Sequence, residues 1–404
     1  MNILFLDAYF EPEQIAFTHL EHDLLDRLVE EGNEIQVVCP IPTRGISKEI
    51  AEAYKRKRQE SLYGGHVNVT RFAAPQEGRN PLLRCFRYFW CNLRTYQIGK
   101  REKGIDLVFC NSTPPTQGWI AGKVACRIKA PLVYSLQDIF PDSLVTTGLS
   151  NKNSLFWRIG RKLEDKTYEG CNRIIVITDA MKQNLLEKNV KKEIDVISNW
   201  IDTDQIKPVN REENRLFDEL KIDRSKYIVL YAGNFGEAQG AEIILEVAER
   251  FQNEDGLSFV IFGGGSGYDA VAEKACKMKN VFIHPLMPMD RVSEVYSMGD
   301  VALITCKKGT GKSGMPSKLW SIMACDKPII ASFDLDSELA SLLNSTMTGI
   351  CVQPEDVEAL LSAINSMRKN HNCYKSMRNI ALRIASKEQC TAQYISIFRS
   401  LSRS

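Results

Sequence analysis

The stretch DVALITCKKGTGKSGMPSKLWSIMACDKPIIAS, residues 300–332, decides the fold of this 404-residue chain. VALIT (301–305) is a β-branched run that gives way to a loop of lysines and glycines. A helix-compatible segment follows, and Pro328 introduces a second apolar run, IIAS. Strand, glycine-rich loop, helix and strand is the unit that sets a helix N-terminus beside a phosphate. Ser317 stands at the expected N-cap, with Lys318 one residue inside the helix. Backbone N–H groups, the positive helix end and an ammonium then converge on one point, so an anionic ligand is the physical expectation.

The same alternation runs through the chain on both sides. ILFLDA (3–8) precedes an amphipathic segment from Thr18, where Thr18 and Glu21 have capping-box spacing and Leu20, Leu24, Leu25 and Leu28 share a face. IQVVCP (35–40) follows, then VNVTRF (67–72), DLVFCN (106–111), PLVYSL (131–136), RIIVIT (173–178) and IDVI (194–197). Their continuous Val, Ile and Leu character suits strands buried on both faces of a parallel sheet. Residues 199–215 are polar and strand-free and read as a linker. A second alternation then begins with YIVLYAGN (227–234), LSFVIFGGG (257–265) and NVFIHP (280–285). Helices from about 354 close the chain. The pattern predicts two doubly wound α/β halves, with ligands outside the carboxyl ends of the strands and between the halves.

Composition narrows the class. A net charge of +2, 25% charged and 44% apolar residues describe an ordinary folded chain and argue against a nucleic-acid-coating one. Twelve cysteines show no CxxC pair, and Cys39, Cys110, Cys306 and Cys351 sit inside apolar runs, which predicts buried free thiols in a reducing compartment. The first strand begins at Met1 and no apolar run reaches membrane-spanning length, so a soluble, cytoplasmic chain without a signal peptide is expected. One segment departs from the pattern. Residues 79–104 carry Arg79, Arg84, Arg87, Arg94, Lys100, Arg101 and Lys103 among Leu82, Leu83, Phe86, Phe89, Trp90 and Tyr96, with Glu102 the one acid. It reads either as a helix packed on the sheet with a solvated basic face or as a membrane-surface patch.

Several motifs compete for the chemistry. GTGKS (309–313) suggests a phosphate-binding P-loop, but the position that needs the first glycine is Cys306. Gly233, Asn234, Phe235 and Gly236 form a glycine loop directly after a strand, and Gly263 to Gly267 repeat that placement. Asp334 and Asp336 have DxD spacing, yet Ser337 and Glu338 open a helix there and a cap is the better account. His19 and His22 lack further ligands at metal-binding spacing, and no metal is expected. Asp138 follows a buried strand, placed either to cap its own loop or to act as a base or hydroxyl binder. Asp142 lies four residues on, and Glu11, Glu13 and Gln14 follow the first strand.

Taken together, these stretches resemble the GT-B glycosyltransferases of the retaining type grouped as family 4, and within them the branch that builds bacterial capsular polysaccharide or O-antigen. YFEPEQ after the first strand resembles the family's opening, and NRIIVITDAMKQNL with IDVISNWIDTDQIKP resembles its interdomain passage. YAGNFGEAQGAEIILEVAERF and MPSKLWSIMACDKPIIAS resemble its donor-binding half. The resemblance implies two Rossmann-like domains facing across a cleft: residues 1–200, with a C-terminal helix of about 386–404 returning to them, bind the acceptor. Residues 201–385 bind a nucleotide diphosphate-sugar, a UDP-sugar by preference. It implies transfer with retention and without a metal to a saccharide on a lipid carrier. Asp138 falls at the place of a family residue near the reacting sugar. Gly233, Asn234, Gly236, Gln239, Gly264, Ser313, Gly314, Met315, Pro316, Ser317, Lys318 and Ser321 fall along the donor site, and Glu13 and Gln14 on the acceptor side. Two family glutamates fall at Ser313 and Ser321, which keeps open a non-catalytic binding or scaffold protein of the same fold. A sugar-nucleotide epimerase would need several ionisable groups around the sugar.

Overall fold

The computed structural model describes residues 1–13, 18–76, 81–142, 151, 154–311, 314–370, 374 and 376–402. Its contacts divide into two units, Met1–Asn199 with Cys390–Ser404, and Trp200–Gln389. Each unit is built on one largely parallel sheet.

The first sheet comprises β1 (Asn2–Leu6), β2 (Glu34–Pro40), β3 (Gln59–Leu62), β4 (Val67–Phe72), β5 (Leu107–Asn111), β6 (Leu132–Leu136), β7 (Arg173–Val176) and β8 (Glu193–Val196). Its order is β3-β4-β2-β1-β5-β6-β7-β8, so the strand order reverses between β1 and β5. Alternate residues of a strand face opposite layers. Leu4 and Leu6 of β1 join Val124 and Tyr168, bringing in the helices Pro81–Gly99, Gln117–Ile128 and Leu155–Gly170. On the other face the rings of Phe5 and Phe109 lie 4.8 Å apart, and Phe109 meets Phe398 of the last helix at 5.4 Å. β3, which the sequence pattern missed, pairs antiparallel with β4 at the sheet edge. QESL lacks the β-branched run of its neighbours and bonds along one side only.

The second sheet comprises β9 (Tyr227–Asn234), β10 (Leu257–Gly264), β11 (Val281–Pro285), β12 (Val301–Thr305), β13 (Ile329–Ser332) and β14 (Gly349–Val352), ordered β11-β10-β9-β12-β13-β14. This is the Rossmann strand order, with its reversal between β9 and β12. Ile228, Leu230 and Ile304 pack under the Leu319–Ala324 helix, while Val229, Ile261 and Leu303 pack under Ile243–Arg250 and Val357–Lys369. The two sheets are thus the twin Rossmann-like halves expected.

Two local expectations fail. The segment read as a linker is packed onto the second unit: Asn214 is fully buried and donates to the Glu294 carbonyl at 2.7 Å, and Arg211 pairs with Asp300 at 2.9 Å. Its polarity serves internal hydrogen bonds rather than solvation. Glu21, at capping-box spacing from Thr18, is buried beside Asp7 instead. Among the described residues no helix is long and apolar enough to cross a membrane.

Candidate functional site

The site grows from the carboxyl ends of β9 and β12, the place where an open parallel sheet leaves a crevice. Tyr231 and Gly233 are two residues apart on β9 and therefore share a face. Lys318 comes from the loop after β12, and its Nζ lies 4.1 Å from the centroid of the Tyr231 ring. A Cβ on Gly233 would overlap that Nζ, so the glycine is the space the ammonium occupies. The ammonium makes no hydrogen bond or ion pair with the described residues, and burial pushes it down to about 7. The Tyr231 hydroxyl donates to the Asn234 carbonyl at 2.9 Å, tying the same ring to the glycine loop.

The loop itself is anchored by Phe235, which is buried between Tyr231 and Tyr268. Its N–H donates to the Gly264 carbonyl at 2.7 Å, and its own carbonyl accepts from Gly267 N–H at 2.9 Å. Above it the polar side chains converge. A Cβ on Gly236 would meet Gln239 Oε1 at 2.5 Å and Asn234 Nδ2 at 3.0 Å. Gly265, at φ +97°, lies directly under Asn234 Oδ1. The structure therefore brings Gly233, Asn234, Gly236, Gln239 and Lys318 together, with Gly264 at the edge. It adds Gly265, from the glycine run already singled out, and Tyr231, which the sequence reading passed over. Tyr231 carried a signal, since period-two alternation puts it on the face of Gly233.

The rest of the 300–332 stretch corrects two expectations. Ser317 is exposed and does not cap the helix; Lys318 holds the N-cap position of Leu319–Ala324, because Leu319 N–H bonds the Pro316 carbonyl at 3.0 Å and delays the first turn. Nor are the N–H groups of Gly309 and Gly311 free. Gly309 N–H bonds both Asp334 oxygens, at 2.9 and 3.0 Å, and Gly311 N–H bonds one at 2.9 Å. Asp334 is thus a loop clasp, while Ser337 caps the next helix by accepting from Ala340 N–H at 3.2 Å. Gly314 is exposed and Met315 packs against the core. Ser321 lies half-buried in the first turn of the helix. Ser313 and Gln14 lie outside the described residues.

In the first unit Asp138 is exposed just beyond β6. The preceding residue is fastened on two sides: Gln137 N–H bonds Ser112 Oγ at 2.9 Å, and Gln137 Oε1 accepts from Asn199 at 2.9 Å. Asp142 pairs with Lys188 at 2.8 Å. Glu13 is buried; its Oε1 accepts from the N–H groups of Thr43 and Arg44 at 2.7 and 2.8 Å, Oε2 has no partner, and burial raises its carboxyl. Asp7, at the end of β1, is buried against Glu21 and Asn111, and burial pushes it up to about 6. His22 pairs with Glu11 at 3.3 Å, a surface pair as expected of a helix histidine.

The two sheets, with a buried lysine over glycine at the reversal of the second, have the architecture of GT-B glycosyltransferases. Residues 21–205 match the model of Glycosyltransferase Family 4, and residues 212–383 that of Glycosyl transferases group 1. WcaI of Escherichia coli K12, named for colanic acid biosynthesis as a glycosyl transferase, is 30% identical over 418 residues, 99% of this chain and 100% of that one. The chain belongs to this glycosyltransferase family. The glycosyltransferase WbjE of Pseudomonas aeruginosa is 28% identical over 303 residues, 73% of this chain and 75% of that one. Among solved structures, the sucrose-phosphate synthase of Thermosynechococcus elongatus superposes with a TM-score of 0.73 at 14% identity, covering 99% and 98% of the two chains. HepE of Anabaena, solved in complex with UDP, gives 0.70 at 16% identity, covering 99% and 100%.

Proposed function

We propose that this glycosyltransferase moves a sugar, with retention and without a bound metal, from a nucleotide diphosphate-sugar to a lipid-linked saccharide in surface polysaccharide assembly at the cytoplasmic face of the membrane. A UDP-sugar is the favoured donor. The observation that carries the reading is the Lys318 ammonium, buried over Gly233 with no counter-charge among the described residues. A buried cation lacking a partner is stabilised by an anion, and a departing diphosphate gains negative charge as the glycosyl bond breaks. Asn234 and Gln239 add uncharged amide groups that converge over Gly236 of the same loop. HepE, of the same fold, is solved with UDP and with UDP-glucose, which supports the donor class. WcaI's naming for colanic acid supports the polysaccharide setting. Asp138, exposed at the carboxyl end of β6, is the candidate to contact the reacting sugar, and Glu13 with Gln14 the candidates on the acceptor side.

A thermal-shift screen of UDP-, GDP-, ADP- and CMP-sugars tests this directly. A UDP-sugar should raise the melting temperature, Lys318→Ala should abolish the rise, and Asp138→Asn should keep it while losing transfer. No stabilisation by any sugar nucleotide overturns the proposal. The hydroxyl of Ser321, where the family resemblance places a glutamate, favours a second reading, a non-catalytic binding protein. Donor binding without turnover across lipid-linked acceptors would select it.

A further inference from the structure

The outward face of the Pro81–Gly99 helix is unusual for a protein surface. Leu83, Phe86, Phe89, Trp90 and Leu93 share one stripe by their three- and four-residue spacing, opposite the buried Arg87, Cys91 and Thr95. Phe89 is 66% exposed and Phe86 54%. The helix holds three arginines and no carboxylate. Along one flank of the stripe, between the helix and the β3–β4 edge, opens a cavity of about 510 Å³. Arg58, Arg71 and Arg94 line it together with Thr70 and the Trp90 side chain. Arg71 is fully buried; Nη2 binds Glu60 and the Glu11 carbonyl, Nη1 donates to Cys39 Sγ at 3.4 Å, and Nε has no hydrogen-bond partner.

The stripe has a counterpart on the same layer. The Leu155–Gly170 helix exposes Leu155, Phe156 and Ile159 in its first turns, beside Arg158 and Lys162. The Gln117–Ile128 helix packs between the two, with Lys123 Nζ 3.8 Å above the Trp119 ring. All three helices follow strands of one parallel sheet, so their N-termini lie at its carboxyl edge. Apolar tips ringed by arginine and lysine therefore stand side by side at that edge.

We infer that this face seats the chain on an anionic phospholipid bilayer, with Phe86, Phe89 and Leu155 to Ile159 entering the interface. A lipid phosphate headgroup enters the cavity between Arg58 and Arg94. Exposed aromatic and leucine side chains gain by leaving water at the acyl boundary, and Arg58 and Arg94, whose hydrogen bonds go to a carbonyl and an amide rather than to a carboxylate, match anionic headgroups. A second copy of the chain would gain from the apolar stripe but has no use for a cavity lined by three arginines. The inference stands apart from the donor site, and vesicle binding is measured without sugar nucleotide.

Full-length protein is sedimented with vesicles of phosphatidylcholine alone or mixed with phosphatidylglycerol. It should pellet with the mixed vesicles only. The pairs Phe86→Ser with Phe89→Ser, and Arg58→Glu with Arg94→Glu, should each lower the bound fraction roughly tenfold or more, at an unchanged melting temperature. Wild-type protein left in the supernatant, or variants that pellet equally well, overturns the inference. So does a dimer in solution that the phenylalanine pair disperses, since the face then belongs to a second copy.

Discussion

Lys318 Nζ stands over the Tyr231 ring at 4.1 Å and meets no carboxylate among the described residues. A ring face returns about 1–2 kcal/mol to a desolvated cation, whereas removing an ammonium from water costs several times that. The folded chain therefore carries a local deficit that an anionic ligand removes. Replacing the charge by a flexible apolar chain of similar length should expose it. Lys318→Met is expected to raise the melting temperature of the ligand-free protein while erasing stabilisation by a sugar nucleotide. A variant that melts lower than wild type would show that the ammonium has a structural partner after all.

Under the proposed function, the same lysine should make donor binding pH-dependent. Burial places its titration near 7, far below that of a free lysine. At pH 6 the site is already charged, and a diphosphate binds without proton uptake. Above 7 the free site is mostly neutral and binding must take up a proton. Affinity should then fall by up to about tenfold per pH unit. Titration calorimetry at pH 6.5, 7.5 and 8.5 reads this out, and a flat profile above 7 rules out Lys318 as the titrating group.

Glycine at 233 is required by what lies above it rather than by its backbone angles. Gly233→Ala should fold, because the atom in the way is the mobile end of a lysine, but it should displace that ammonium and weaken donor binding. Gly256→Ala is the control: its added carbon also meets the mobile end of a basic side chain, Arg368 Nη2 at 2.8 Å, but it precedes β10, at the end of that strand away from the glycine loops. Equal donor affinities for the two variants, measured by thermal shift, would remove the close approach from the account.

Asp7 and Glu21 set a second pH dependence, this one of stability. Burial raises Asp7 from 3.8 to about 6 against the easing hydrogen bonds of Glu21 and Asn111, and burial, with the Asp7 charge, raises Glu21 well above the usual carboxylate range. The folded state thus holds protons that the unfolded chain releases, so stability is full below about pH 4 for this pair. It declines as pH rises through 6, by roughly 3 kcal/mol for a two-unit shift. Glu21→Gln removes one of the two charges and should flatten the decline. Urea midpoints at pH 5 and pH 8 report it; a wild-type midpoint that climbs over that interval by as much as the variant's contradicts the assignment.

Much of the architecture was legible because buried parallel strands write themselves as continuous Val, Ile and Leu runs. β9, β10 and β12 fall where those runs lie. β3 and β14 were not legible, being four-residue edge strands with weak runs. The donor-side glycines and Lys318 were each visible, but their meeting depends on β9 and β12 lying side by side, and strand order leaves no trace in a local pattern. Ser317 looked like a cap because a serine preceded the helical residues; the turn at Pro316 shifted the start by one position. Asp334 looked like a cap too, and its grip on Gly309 and Gly311 is a contact between distant segments that composition does not encode. For residues 79–104 the helix packs on its unit through Cys91 and Thr95, as the first reading has it, but its outer face exposes Phe86 and Phe89 as well as basic residues.

The Asp334 clasp divides the loop after β12 into parts with different freedom. Through Gly311 the backbone is held from the end of β13, and Lys307 N–H is held in turn by the Ala238 carbonyl at 2.9 Å. Beyond it, Gly314 and Ser317 are exposed on their way to Lys318. Substitutions from Gly314 to Ser317 can thus reshape what the site accepts without moving the lysine's neighbours at Gly233 and Tyr231. A change at Asp334 would release the whole loop at once. Under the proposed function, donor preference would be open to stepwise change from Gly314 to Ser317, while the segment through Gly311 behaves as part of the sheet.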